Sequence, residues 1–202
     1  MEFYEAIEKR RTVREWKEEE VDQDVIKRIV DAGIKAPSNN HLREWEFIVL
    51  FSKEDKENAL CFIKQYADRQ KEKVKDMPKG TSAQKMYAYA IPRQYSMLHD
   101  APYVIIPLFK GNALGASAIN SLNGFASVWC VIENILLAAA AEGLGTAIRI
   151  PIGEEGKQVL NSLGVPEGYT MPAYIGIGYP KDSFMPEQLR CTVDDKMHYG
   201  KW

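Results

Sequence analysis

Apolar positions in this chain fall into two kinds of run. At helical spacing, Phe3 and Ile7 predict a short first helix ending near Arg10. Ile26, Ile29 and Val30 predict a second over residues 21–35, with Asp22 as its N-cap and Gly33 and Pro37 bracketing its end. Short β-branched runs predict buried strands: "WEFIVLFS" at 45–52, "YVIIPLF" at 103–109, residues 146–150 and "MPAYIGIGY" at 171–179. Between them, Ser52-Lys53-Glu54-Asp55 is a weak capping box opening a long charged segment to about Met77, whose "RQKEKVKD" reads as a solvated helix face. Pro78 and Gly80 break that segment, and a polar, tyrosine-rich stretch follows. Residues 110–124, rich in Gly, Asn, Ser and Ala, read as a loop or short helix at the mouth of a site. A turn at Pro151-Ile152-Gly153 leads into a helix to Leu163, and a tail runs on to Trp202. Strands and helices interleave, but the helices come in pairs of unequal length. That predicts an α+β layered sandwich rather than a regular βαβ wind.

The most apolar stretch, "FASVWCVIENILLAAAA" at 125–141, is about a turn short of a bilayer span and carries Glu133-Asn134 in its middle. It reads as a buried helix, with no membrane partner. A helix apolar on nearly every face needs a large surrounding core. Together with the long tail and its aromatic, basic end "MHYGKW", it predicts a homodimer that packs such helices together and exchanges tails.

Composition narrows the picture. The 202 residues carry a net charge of −2, with 46% hydrophobic and 27% charged residues, which fits one domain over 1–202 with a substantial core. Without a basic excess, nucleic acid is excluded as the main partner. Three well-separated cysteines, Cys61, Cys130 and Cys191, give no metal spacing and predict reduced thiols in a cytoplasmic protein. The acidic "MEFYEAIEKR" start lacks the basic, then apolar pattern of a signal peptide.

Catalytic motifs are few. The chain has no G-x-S-x-G, no P-loop and no H-E-x-x-H, and its three histidines are scattered. "GLGTAI" lacks the rest of a dinucleotide fingerprint. An enzyme built on this chain has no side-chain nucleophile or metal to use, so a cofactor has to supply its chemistry. Three stretches are candidates for gripping an anion. In "KRRTVREW", Arg10, Arg11 and Arg14 either clamp a phosphate or carbonyl oxygen or form a helix end, complementing its dipole and facing solvent. "APSNNH" (36–41) is either a turn cluster or a hydrogen-bonding loop for a sugar or phosphate. "RIPIGEE" (149–155) is either a plain strand–turn–helix or a bare backbone N–H at Gly153 ahead of a helix N-terminus.

Taken in order, these pieces resemble the FMN-dependent nitroreductase family along essentially the whole chain. The resemblance rests on Arg10-Arg11-Thr12-Val13-Arg14, on Ala36-Pro37-Ser38-Asn39-Asn40-His41 before Trp45-Glu-Phe-Ile-Val, and on Asn134 to Gly145 ending in Gly-Leu-Gly. Ile-Gly-Tyr-Pro at 177–180 and a tail arginine, Arg190, complete it. It implies a mixed, mostly antiparallel sheet flanked by helices and a domain-swapped homodimer, with residues 180–202 extending onto the partner subunit. It also implies FMN at the subunit interface. Arg10, Arg11 and Thr12 would hold the phosphate and ribityl chain, and Arg14 the pyrimidine edge. Pro37, Ser38, Asn39 and His41 would come from the other subunit. Ile150, Pro151, Ile152 and Gly153 would line the ring with the Gly153 N–H near N5, and Gln94 and Arg190 would add contacts. The implied activity is an NAD(P)H oxidoreductase that reduces nitroaromatics, quinones or related small acceptors by ping-pong hydride transfer through flavin N5. No side chain is catalytic in that scheme, and NADH or NADPH is the reductant. The implied alternatives are an ene-reductase or dehalogenase branch, or a flavin-binding sensor or store without turnover. This chain departs from the family at His41-Leu42-Arg43-Glu44, at Met97 and at Gln188.

Overall fold

The computed structural model describes residues 1–70, 72–74, 81–111, 122–181 and 191–202. Seven α-helices and five strands are assigned among them. The first strand, β1 (Trp45–Leu50), runs antiparallel to β2 (Tyr103–Lys110), with Trp45 opposite Phe109 and Leu50 opposite Val104. The sheet continues through β5 (Tyr174–Gly178) to β3 (Gly145–Arg149), each pair antiparallel. A two-residue strand, β4 (Tyr169–Thr170), pairs with the far end of β2. One parallel bridge, Thr12 to Thr146, makes the sheet mixed.

Side chains alternate across the pleat, so each strand feeds two cores. Val104, Ile106 and Leu108 of β2 join a core with Leu60 and Ile63 of α3 (Lys53–Gln70), Met97 and Leu98 of α5 (Ser96–His99), and Val159 and Leu160 of α7 (Glu155–Ser162). Ile105 of β2 and Ile175 and Ile177 of β5 join the opposite core. They meet Ile26 and Ile29 of α2 (Gln23–Ile34) and Val131, Ile132 and Ile135 of α6 (Leu122–Ala141) there. The result is the layered α+β sandwich expected, helices on both faces of a mostly antiparallel sheet. Each fully buried Ile or Leu contributes about 1.5–3 kcal/mol to it.

Most elements lie where the hydrophobic pattern places them. The first helix, α1, is Phe3–Lys9, and α2 starts on Asp22, whose carboxylate accepts the Asp24 N–H at 2.8 Å. Ser52 does half of the expected capping, its hydroxyl accepting the Asp55 N–H at 3.1 Å. The charged segment forms α3 over Lys53–Gln70 and a short 3-10 turn at Glu72–Val74, and its expected end near Met77 lies outside the described residues. The tyrosine-rich stretch holds an unexpected helix, α4 (Ser82–Ala90). Of residues 110–124, the first two and the last three are described, the latter within α6.

α6 is long and apolar enough to cross a bilayer, yet one face of it packs against α2 and the sheet. Its other face, through Leu122, Ala126, Cys130 and Glu133, remains exposed. Glycine is required where α1's exit segment meets β3. A Cβ on Gly145 would stand 2.5 Å from Cγ2 of the buried Val13, inside any real contact distance. Gly145→Ala should destabilise the fold by about 1–3 kcal/mol through overpacking, read as a lower urea midpoint at unchanged m-value. An unchanged midpoint would show that Val13 is free to move aside.

Candidate functional site

The arginine segment leaves α1 in extended conformation. Arg10 caps the helix with φ −61° and ψ 117°, its N–H donating to the Ala6 carbonyl. Val13 then donates its N–H to the Thr146 carbonyl at 2.8 Å, stitching residues 12–13 to the edge of β3. Trp16 anchors the far end from the core, its Nε1–H donating to the Met97 carbonyl at 3.0 Å. Arg10 retains one long ion pair, Nε to Glu133 Oε1 at 3.9 Å, between two part-exposed groups. Such a contact is worth about 0–1 kcal/mol, so little opposes a better anion taking its place.

Arg14 is less comfortable. It is half-buried, and its Nε is shielded from solvent with no hydrogen-bond partner among the described residues. Burial pulls its pKa below the usual arginine value. Its guanidinium lies 5.8 Å from the centre of the Tyr89 ring, against which Arg93 packs at 4.1 Å. Arg93 in turn donates to the Glu15 carboxylate at 3.0 Å. A cation held against an aromatic ring with an unused buried donor is an arrangement suited to an electron-rich ligand edge.

The loop after α2 is pinned to α6. Asn39 donates its N–H to the Ser127 hydroxyl at 3.0 Å, and Ser127 donates to the Asn123 carbonyl at 2.7 Å. Ser38 accepts the Arg43 N–H through its hydroxyl at 3.3 Å. Asn40, His41 and Arg43 all have positive φ, near +50° to +56°. Non-glycine residues in that region cost on the order of 1 kcal/mol or more and gather at functional loops. Two of the three, His41 and Arg43, fall within the stretch His41-Leu42-Arg43-Glu44 singled out in the sequence.

The third stretch joins β3 to α7. Ile150, Ile152 and Gly153 are exposed and Pro151 is half-buried. Gly153 has φ +58°, and a Cβ built on it meets nothing within 4 Å, so its backbone faces open space. Behind this exposed turn lies a buried polar cluster. Arg149 donates through Nη1 to Glu155 Oε1 and through Nη2 to Oε2 at 2.7 Å, while Tyr174 donates its hydroxyl to Oε1 at 2.9 Å. The Arg149 guanidinium is flanked by the Tyr66 and Tyr174 rings at 5.8 and 5.7 Å.

Burial, and then the Glu155 charge, push the Tyr174 phenol above its usual pKa near 10. An unfolded tyrosine loses its proton near pH 10, whereas the folded Tyr174 keeps it. Its contribution to stability is therefore complete below about pH 10 and is lost as pH rises further, because unfolding then releases a proton. Urea unfolding at about pH 8 and about pH 11 should show the stability gap between wild type and Tyr174→Phe shrinking at the higher pH. A gap that does not change with pH would remove Tyr174 from the alkaline response.

β3 brings two of the expected stretches together. Arg10, Arg11, Thr12 and Arg14 flank it through the Thr146 bridge, and Ile150 to Gly153 leave its end. Pro37, Ser38, Asn39 and His41 are held by a different element, the N-terminal half of α6. Gln94 is half-buried after the short helical turn Ile91–Arg93, its N–H donating to the Ile91 carbonyl. Arg190 and Gln188 lie outside the described residues. Sequence reasoning missed two groups. Tyr89 and Arg93, four apart across the end of α4, carried a readable i,i+4 signal. The Arg149–Glu155 pair offered only an arginine inside an apolar strand and a glutamate beyond a Pro-x-Gly turn.

The profile of the Nitroreductase family matches residues 7–179. A protein of Methanothermobacter thermautotrophicus, provisionally named an NADH dehydrogenase/NAD(P)H nitroreductase, is 27% identical over 100% of this chain and 88% of its own length. Iodotyrosine deiodinase 1 of Rattus norvegicus is 31% identical over 97% of this chain and 68% of its own length. In fold, the chain matches a crystal structure of oxidized iodotyrosine deiodinase bound to FMN and 3-iodo-L-tyrosine, with a TM-score of 0.77 at 19% identity over 100% of both chains. By sequence and by fold, then, the chain belongs to the nitroreductase family.

Proposed function

We propose that this chain is an FMN-dependent oxidoreductase, working as a homodimer, that takes hydride from NAD(P)H and gives it to a small acceptor such as a nitroaromatic or quinone. The observation that carries the reading is Arg14, a half-buried guanidinium whose Nε has no hydrogen-bond partner among the described residues, on a segment bridged to β3, the strand that leads into the Gly153 turn. FMN fits this donor set, and the iodotyrosine deiodinase structure of the same fold binds it. When bound, FMN supplies the redox chemistry at N5. The chain's part is to bind and orient. Arg10, Arg11 and Thr12 take the phosphate and ribityl end, and Arg14 places positive charge at the pyrimidine edge. Gly153 offers its backbone N–H to N5, with Gln94 and Arg190 adding contacts. Exposed Ile150 and Ile152 give the ring an apolar wall that limits water.

A second copy of the chain completes the site with Pro37, Ser38, Asn39 and His41. Supporting this, α1 exposes Phe3, Tyr4 and Ile7, and α6 exposes Leu122, more apolar surface than a monomer needs to leave wet. Tyr199 and Trp202 of the tail are also almost wholly exposed, which suits residues 180–202 lying over the partner.

The test is direct. Purified protein should be yellow, its flavin bleached by NADH or NADPH and restored by menadione or nitrofurazone, and light scattering should give a dimer. Flavin that neither nucleotide bleaches would turn the reading to a flavin-binding protein without turnover. Colourless protein that takes up no added FMN would end it. The similarity to iodotyrosine deiodinases favours a second reading, reductive removal of halide from a halogenated phenol. Iodide release from 3-iodo-L-tyrosine by the reduced holoprotein, faster than nitrofurazone reduction, would select it.

A further inference from the structure

We propose that Arg149, Glu155 and Tyr174 form a buried clamp that fixes the shape of the turn at residues 150–154 and so the direction of the Gly153 N–H. The proposal rests on the reading that this turn lines FMN.

The clamp joins the two ends of the turn. Arg149 is the last residue of β3 and Glu155 the first of α7, and they meet through two parallel N–H···O bonds. Only 3% of Arg149, 7% of Glu155 and none of Tyr174 is exposed. A bidentate pair constrains orientation as well as distance. Tyr174 adds a third bond from the neighbouring strand β5, tying the pair to the sheet.

Among the described residues, the turn's other side-chain tie lies at the surface, an ion pair from Glu154 to Lys157 at 2.9 Å. Ile150, Ile152, Gly153 and Glu154 are exposed, and Glu154 makes no side-chain cap on α7. A backbone bond from the Glu155 N–H to the Ile152 carbonyl, at 3.2 Å, closes the turn internally. Gly153 has a positive φ and no Cβ to restrict it, so an unclamped turn has many shapes available.

Stability alone does not account for the cluster. Buried ion pairs are often replaceable by apolar residues at no loss, because desolvation offsets their attraction. Among the described residues, the buried Arg149 Nε has no hydrogen-bond partner. What a hydrogen-bonded charge pair provides that an apolar pair does not is a single geometry, and the backbone it fixes is the one turned to the cofactor. Arg149, Glu155 and Tyr174 are therefore positioning residues, acting on the flavin through Gly153.

Two mild variants test this. Tyr174→Phe removes one bond and keeps the ring; Arg149→Lys keeps the charge and loses the fork. In flavin-free protein, hydrogen exchange at the Glu155 amide, whose N–H closes the turn on the Ile152 carbonyl, should be slow in wild type and faster by about tenfold in either variant. The affinity for oxidised FMN should fall by about tenfold, the weight of the lost N5 hydrogen bond, while that for reduced FMN should stay within about threefold, since the arginine segment is untouched. The midpoint potential should rise, because the N5 hydrogen bond favours oxidised FMN. A loss of about tenfold in that preference is roughly 30 mV for a two-electron couple. Flavin reduction by NAD(P)H should change in rate with little change in nucleotide KM. A wild-type Glu155 amide exchanging as fast as a free peptide would overturn the clamp without any variant. So would a folded Tyr174→Phe protein with unchanged exchange and unchanged potential. If the protein takes up no FMN, the flavin reading fails while the exchange measurement still judges the clamp.

Discussion

Glu155→Ala is expected to destabilise the protein by about 3–5 kcal/mol, the range for stripping one partner from a buried ion pair. The reason is the residue left behind. Arg149, 3% exposed, would keep its charge without a counter-ion, and the Tyr174 hydroxyl would lose its acceptor. For a chain of this size that loss corresponds to a melting temperature lower by roughly 6–20 °C. The double variant Arg149→Met/Glu155→Leu removes both charges together and should recover most of the loss. Calorimetry on the single and double variants checks both statements. A single variant melting within about 1 kcal/mol of wild type would mean that water reaches the pair, and the burial argument would fail.

Arg14→Leu should move two properties in opposite directions. FMN affinity should fall by about 10- to 150-fold, the equivalent of losing a charge-assisted hydrogen bond worth about 1.5–3 kcal/mol. The flavin-free protein should unfold at the same or a higher temperature, since a half-buried guanidinium with an unpartnered Nε gives way to an apolar chain. Titration with FMN and melting of the flavin-free protein read the two effects separately. Unchanged FMN affinity would return Arg14 to a packing role against Tyr89 and Arg93. A lower melting temperature would show that its contact with Tyr89 outweighs the desolvation.

Strands β1, β2, β3 and β5 were legible in the sequence as short apolar runs, α2 through its apolar period and its Asp22 cap, and α6 through its long apolar run, whereas the two-residue β4 gave no such signal. Helix α4 was not, since it buries no residue and its apolar side chains include the exposed Met86 and Tyr87. Hydrophobic spacing therefore had nothing to report, although the capping box of Thr81 and Gln84 was present to be read. The site was legible as residue types rather than as an arrangement. Three arginines near a helix end are visible in any reading. That the segment is pinned to β3 depends on Thr12 meeting Thr146, a pairing between distant residues that no local pattern encodes. Arg149 and Glu155 fit neither helical nor strand spacing, and only the turn between them makes them neighbours.

The bridge at Thr146 has a consequence for how such a protein diversifies. It fastens the arginine segment to one end of β3, while the Gly153 turn departs from the other, three residues later at Arg149. Their separation, about 10 Å along the strand, is thus quantised in steps of about 3.4 Å by sheet register. A one-residue slip would also send every side chain of β3 to the opposite face. On the proposed FMN reading, new acceptor preferences arise in segments not strung on that strand, and the spacing between the two stretches is inherited intact.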